Sequence, residues 1–550
     1  MTHRPTNDPA LRARIWSLAV VEPESRWFPV LWLSIATVLS FVLRLPLFGL
    51  PMIADEGGYA YVAQRWLDGR GTLYSDLWVS RPQGIFLAYG AIFHTIGTSV
   101  EALRFGAWLV SVATMALVWV FAARWSNRST AALAVVLFAV LSGSPAIEGF
   151  TANAEVFMAF PSALGILALL RASDLDWSRR WLALAGVMTG VATLMKPSGI
   201  VILLVGAAFV GLATTGSRRA VIGHWGWLGF GFTAALTPAL IQGYLVGWDN
   251  FIFASVTYRM FHQSGMQKGP MHQFGAILDM AARGWPVMAL GLIPPVLILL
   301  RQGLAITVGA WVDRLSETGR AGIVARRIER PLLPAGGETD LLLRLWLIAC
   351  LVGISIGGDW WNHYLIQILA PLSIWVAAHV LDARRWLSKR GNLAVAITLA
   401  LLVLVPYREA IGKTAAQASE DIFYHSGYAD QEAAADYIRA NSPPDAQIWA
   451  AFNEPELYYL ADRASPYRYL YSQELLAIPD SEQQLMTILS SPRRPMYLIG
   501  TKQGAPYPDR GEAFWNTVAA HYHLETIVRG VPIFRANQNS DYIQLSPSVG

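Results

Sequence analysis

The sequence predicts a polytopic α-helical membrane protein that ends in a small α/β domain, and three observations carry the prediction. Of its 550 residues 54% are hydrophobic and only 15% are charged, too little polar surface for a soluble chain of this length. Apolar runs of about 20 residues, enough to cross a bilayer as helices, recur about eleven times. After Tyr407 the composition changes: residues 407–550 hold 11 basic and 17 acidic side chains, a net of −6 in a chain whose formal charge is +4.

The runs lie near residues 28–49, 101–122, 130–147, 155–172, 180–196, 198–214, 224–246, 284–301, 341–357, 363–381 and 391–406. An arm, residues 1–27, precedes the first and carries Arg12, Arg14 and Arg26. No small-residue cleavage site follows that run, which predicts a retained signal-anchor with a cytoplasmic arm. Arg124 and Arg128, Arg171 with Arg179 and Arg180, Arg218 and Arg219, Arg314 to Arg330, and Arg384 to Arg390 then occupy every second loop. The positive-inside rule assigns those loops to the cytoplasm, and an odd number of spans places the C-terminal segment outside the plasma (inner) membrane. This alternation accounts for the basic residues, so no nucleic-acid partner is indicated.

Residues 28–406 are therefore expected to form the transmembrane domain, with residues 50–100 as an outer-face loop. Within it Gly84 to Gly97 is too short to span, and counting it would invert every later arginine loop, so it is predicted to lie in the outer interface. Gly303 to Val312 reads either as a surface helix or as a continuation of the preceding span. In the C-terminal domain Gln431 to Ala440 and Glu512 to Tyr522 read as helices, and Gln447 to Ala451, Met496 to Ile499 and Val531 to Arg535 as strands, an α/β alternation. The only cysteine, Cys350, excludes an intrachain disulfide.

Five polar clusters fall on the predicted outer face: Asp55-Glu56 with Tyr59 and Tyr61; Ser80-Arg81-Pro82-Gln83; Asn153-Ala154-Glu155; Lys196-Pro197-Ser198; and Gly358-Asp359-Trp360-Trp361-Asn362-His363-Tyr364. Singly, each has an ordinary reading. Asp55 and Glu56 suit the first turn of a short helix, Arg81 and Lys196 can snorkel, Trp360 and Trp361 suit an aromatic belt, and His363 suits a helix end. Glu155 is harder to explain so, because acids beside an apolar run usually face a polar cavity. Jointly, carboxylates and cations on one face suit sugar transfer from a lipid phosphate: a carboxylate accepts the acceptor hydroxyl's proton, and cations stabilise charge on the departing phosphate. No nucleotide-binding loop is present in the sequence.

The motifs Asp55-Glu56-Gly57-Gly58-Tyr59-Ala60-Tyr61, Arg81-Pro82-Gln83-Gly84-Ile85, Ala152-Asn153-Ala154-Glu155-Val156-Phe157, Lys196-Pro197-Ser198 and His363-Tyr364-Leu365-Ile366-Gln367 with Pro371 together resemble the GT-C superfamily. These polytopic glycosyltransferases use polyprenyl-phosphate sugars, and the likeness is to protein O-mannosyltransferases and the aminoarabinose transferases of lipid A. The resemblance implies Asp55 as catalytic base, Glu155 at the acceptor, and Glu56 organising the outer loop or sharing a divalent cation with Asp55, no other cofactor being required. It implies Arg81 (where the family usually has Lys) and Lys196 on the donor phosphate, with His363, Tyr59 and Tyr364 in the same cavity. The partners implied are a polyprenyl-phosphate sugar donor, a lipid, glycan or protein acceptor, and the bilayer, with an inverting single displacement as the reaction. A transporter, or a ligase or polymerase moving whole oligosaccharides, is the alternative. The transporter is disfavoured because the charges gather at one face and hydropathy shows no internal repeat.

Overall fold

In a computed structural model, residues 23–215, 217–261, 269–312, 337–424, 427–451, 454–500 and 512–537 are described. Every apolar run is helical. Among the described residues seven helical segments are long and apolar enough to cross a membrane: Phe28–Phe48, Val100–Trp125, Ala154–Asp174, Arg218–Val246, Trp285–Leu304, Asn362–Ala383 and Lys389–Glu409. The other four runs form the shorter helices Arg128–Leu141, Arg179–Met195, Val201–Ala213 and Glu338–Ser355. Polar side chains start several of these helices: Ser99, Asn127, Ser217 and Ser388 each accept a hydrogen bond from the amide three residues on. The helix that begins at Trp285 runs unbroken to Val312, so Gly303 to Val312 continues it. The Arg314 to Arg330 loop lies outside the described residues.

The bundle has two chemically distinct ends. Arg124 pairs with Asp174 at 2.9 Å and Arg301 with Asp382 at 3.1 Å, while Arg128 donates to the carbonyls of Pro23, Glu24 and Ser25, each at 3.1 Å. Arg124, Asp174 and Asp382 each sit at the far end of a helix whose other end meets the loops described next.

Those loops carry two short helices, α1 (Ala54–Leu67) and α2 (Gln83–Thr95). The N-terminus of α1 is fixed by Glu56, which accepts the Ile53 amide at 3.3 Å. Helix α2 covers the expected non-spanning segment. Gln83 at its start donates to the Ala239 carbonyl at 3.1 Å and to Gln242 at 2.8 Å, and Gly84 lets it approach the backbone of Leu194.

Beyond Tyr407 the chain forms helices around a four-stranded sheet of order β1-β2-β4-β3. β1 (Ile448–Ala450) runs parallel to β2 (Tyr497–Ile499), and β4 (Val531–Ala536) is antiparallel to both β2 and β3 (Tyr522–Val528). Strand β3 was not expected: the predicted helix stops at His521 and the chain becomes extended from Tyr522. This region docks closely on α1, whose two glycines face it. A Cβ on Gly57 would lie 2.2 Å from the Glu456 Cα, and one on Gly58 would lie 2.0 Å from the Tyr471 hydroxyl. The Ser465 amide donates to the Tyr61 hydroxyl at 2.9 Å, the Tyr471 hydroxyl to the Ala54 carbonyl at 3.3 Å, and the Met52 amide to Glu432 at 3.1 Å.

Candidate active site

A cavity of about 230 Å³ opens where α1, the loop before α2, the start of the Asn362–Ala383 segment and the C-terminal region meet. Asp55, Tyr59, Arg81, His363 and Tyr364, five of the residues selected from sequence, line it. Asp55 is half-buried in the first turn of α1, and among the described residues no hydrogen bond or ion pair engages its carboxylate. Arg81 is buried, with its guanidinium 5.4 Å from the Tyr59 ring centre and its Nε lacking a hydrogen-bond partner. Burial opposes the Arg81 charge, while the nearby acids Asp55 and Glu155 favour it, and its pKa lies above the ordinary arginine value. Burial also keeps the Tyr59 phenol well above its usual range, so this ring is a neutral hydroxyl.

Three expected residues lie elsewhere. Glu56 turns away from the cavity and both its oxygens are engaged: Arg104 Nη2 and Nε donate at 2.7 and 3.0 Å, and the Ala152 amide at 2.8 Å. A cation shared by Asp55 and Glu56 does not fit this arrangement, and among the described residues no three His, Cys, Asp or Glu side chains gather as a metal site. Glu155 and Lys196 pair with each other instead of lining the cavity. The turn at Pro197 that ends the preceding helix sets Lys196 there, its Nζ 3.5 Å from the centre of the Tyr364 ring. That turn needs Gly199, since a Cβ would lie 2.5 Å from the Ala192 backbone. Glu155 reaches the cavity wall through His363, whose Nε2 is 3.8 Å from its Oε1.

The cavity also holds residues that sequence reasoning did not select. Glu148 accepts a hydrogen bond from His363 Nδ1 at 3.2 Å. Arg259 shares the Ser80 carbonyl with Arg81, donating at 2.8 Å against 3.2 Å, and also donates to the Ser80 hydroxyl. Arg283 stands over the Tyr424 ring, and the C-terminal region adds Tyr471, Gln473 and Glu474. Burial holds Glu474 well above the usual carboxylate range. Of these, Glu148 carried a sequence signal, an acid just past an apolar run like Glu155, whereas Arg259 and Glu474 lie in no periodic segment or motif.

Residues 81–241 match the family model described as dolichyl-phosphate-mannose-protein mannosyltransferase. No curated protein sequence matches the chain. Among solved structures, ArnT from Cupriavidus metallidurans bound to undecaprenyl phosphate is 14% identical with a TM-score of 0.59 over 93% of this chain and 98% of that one. Its apo state gives 14%, 0.58, 96% and 100%. AglB from Archaeoglobus fulgidus, in complex with an inhibitory peptide and a dolichol-phosphate, is 12% identical with a TM-score of 0.50 over 87% and 70% of the two chains. Helical architecture, the small sheet beyond the bundle and the family match over residues 81–241 together give this chain the fold of the GT-C superfamily of polytopic membrane glycosyltransferases.

Proposed function

We propose that the chain transfers a sugar from a polyprenyl-phosphate-linked donor to a glycan, lipid or protein hydroxyl on the extracytoplasmic face, with inversion and with Asp55 as base. One observation carries the reading: an unengaged carboxylate, Asp55, shares a cavity with two guanidiniums, Arg81 and Arg259, that meet on Ser80. Bound undecaprenyl phosphate and dolichol-phosphate in structures of like fold agree with it.

In the reaction Asp55 takes the proton of the acceptor hydroxyl while that oxygen attacks the anomeric carbon. The bond from the anomeric carbon to the phosphate oxygen breaks, and its electron pair leaves with the polyprenyl phosphate. Arg81 and Arg259 bind the growing negative charge, guanidiniums being suited to phosphate geometry. Glu56 holds α1 so that Asp55 faces the cavity, and the Glu155–Lys196 pair fixes Tyr364 and His363 from behind. A single base suffices, unlike the carboxylate pair of a retaining hydrolase.

Purified protein in native lipids, given a radiolabelled polyprenyl-phosphate sugar and acceptor-bearing membranes, tests this. Asp55→Asn should lower the rate by about 10²-fold or more with an unchanged melting temperature, the range expected for loss of a general base. Turnover of that variant at the wild-type rate would remove Asp55 from the chemistry.

A further inference from the structure

A row of alternating charges runs inward from the cavity wall, and its outermost member, Glu148, has no part in the reaction above. Glu148 lies against His363 Nδ1 at 3.2 Å, His363 Nε2 is 3.8 Å from Glu155, and Glu155 pairs with Lys196. The side chains in this row are 3 to 15% exposed, so water compensates none of them well. Both ring nitrogens of His363 face carboxylate oxygens, which leaves no favourable direction for a lone pair. Lys196 already balances Glu155. Glu148 has only His363 as a side-chain partner among the described residues, so the row is neutral when the ring is an imidazolium and carries an uncompensated buried charge when it is not. The other charged or titratable groups around the ring are Tyr364 at its edge and, lining the same cavity, Asp55, Arg81, Arg259, Arg283, Asp359 and Glu474, with the tyrosines Tyr59, Tyr424 and Tyr428.

The backbone gives a second, independent sign. Glu148 has φ 53° and ψ 27°, a left-handed conformation that is unfavourable for a residue with a Cβ. Such strain persists where the surrounding structure holds it, commonly at functional sites. Here the left-handed residue closes the short helical turn Pro145–Ile147 and carries the carboxylate that meets His363.

We propose that Glu148 is a positioning residue that holds His363 as a fixed imidazolium in the wall of the donor-phosphate cavity. The inference rests on the functional reading above. It assigns His363 an electrostatic part, complementing the phosphate, and leaves proton abstraction to Asp55.

Binding of undecaprenyl phosphate to detergent-solubilised protein between pH 6 and pH 9 tests it without an identified sugar or acceptor. Glu148→Gln keeps a hydrogen-bond acceptor for Nδ1 but removes the charge. The ratio of variant to wild-type affinity cancels the titration of the lipid phosphate itself. That ratio should stay near one at pH 6 and fall about tenfold by pH 9, as expected when a favourable charge at hydrogen-bond distance is removed. Glu148→Gly, which relieves the left-handed strain, should show the same pH-dependent loss with no drop in melting temperature, so a folding defect in one variant does not decide the result. A ratio independent of pH in both variants would overturn the proposal while leaving the transferase reading in place. Failure of the wild type to bind undecaprenyl phosphate at any pH would overturn both.

Discussion

Arg104 spends its whole guanidinium on one turn of chain. It donates to the carbonyls of Leu47, Phe48, Leu50 and Pro51 and to both oxygens of Glu56, with both side chains fully buried. Removing one partner of such a buried pair strands the other, which typically costs roughly 3–5 kcal/mol. Arg104→Met should therefore lower unfolding stability by about that amount, measured by thermal or denaturant unfolding in detergent; a loss below about 1 kcal/mol would mean that Glu56 finds another partner. At this scale the sequence was informative where position along the chain implied exposure to a cavity. Asp55, Arg81 and His363 could be selected because each stands beside an apolar run. That Glu155 and Lys196 pair behind Tyr364, or that Glu148 meets His363 across 215 positions of sequence, depends on how helices cross, which residue types do not encode.

Helix α1 shows what a short element contributes. Its Asp55 and Glu56 favour the helix N-terminus, while Gly57 and Gly58 lower helix propensity and are explained by docking. Gly57→Ala would press a methyl onto the Glu456 backbone, and overpacking of this kind costs about 1–3 kcal/mol. The variant should show a lower melting temperature and faster proteolytic release of the C-terminal region. Gly226→Ala, in a helix with nothing within 4 Å of the added carbon, is the control and should match wild type. Helices with long apolar periods were legible at this scale, and so were strands β1, β2 and β4. The helices Glu456–Ala461 and Ser472–Ala477 were not, because six residues hold less than two turns of pattern. Strand β3 was hidden because its burial does not alternate cleanly and its start abuts a genuine helix.

Across the whole molecule, the bundle and the C-terminal region are joined at a point of electrostatic weakness. Among the described residues Glu456, fully buried against α1, has neither carboxyl oxygen hydrogen-bonded, and burial raises its pKa well above the usual carboxylate range, with Glu454 and Glu432 adding to the shift. The folded state therefore binds this proton more tightly than the unfolded state. Its stabilisation is complete below the unfolded pKa and declines as pH rises through the folded one. Glu456→Gln removes that decline, so its melting temperature should exceed wild type by a margin that grows from pH 5 to pH 8; a constant margin would refute the assignment. The composition break after Tyr407 announced a distinct region, but not that Tyr471, Gln473 and Glu474 would help to enclose the cavity. Their place in the sequence sets an order of events during synthesis. While the bundle is being threaded into the bilayer the trough around Asp55 lacks one wall, and it gains that wall only once the last quarter of the polypeptide has emerged and settled onto α1.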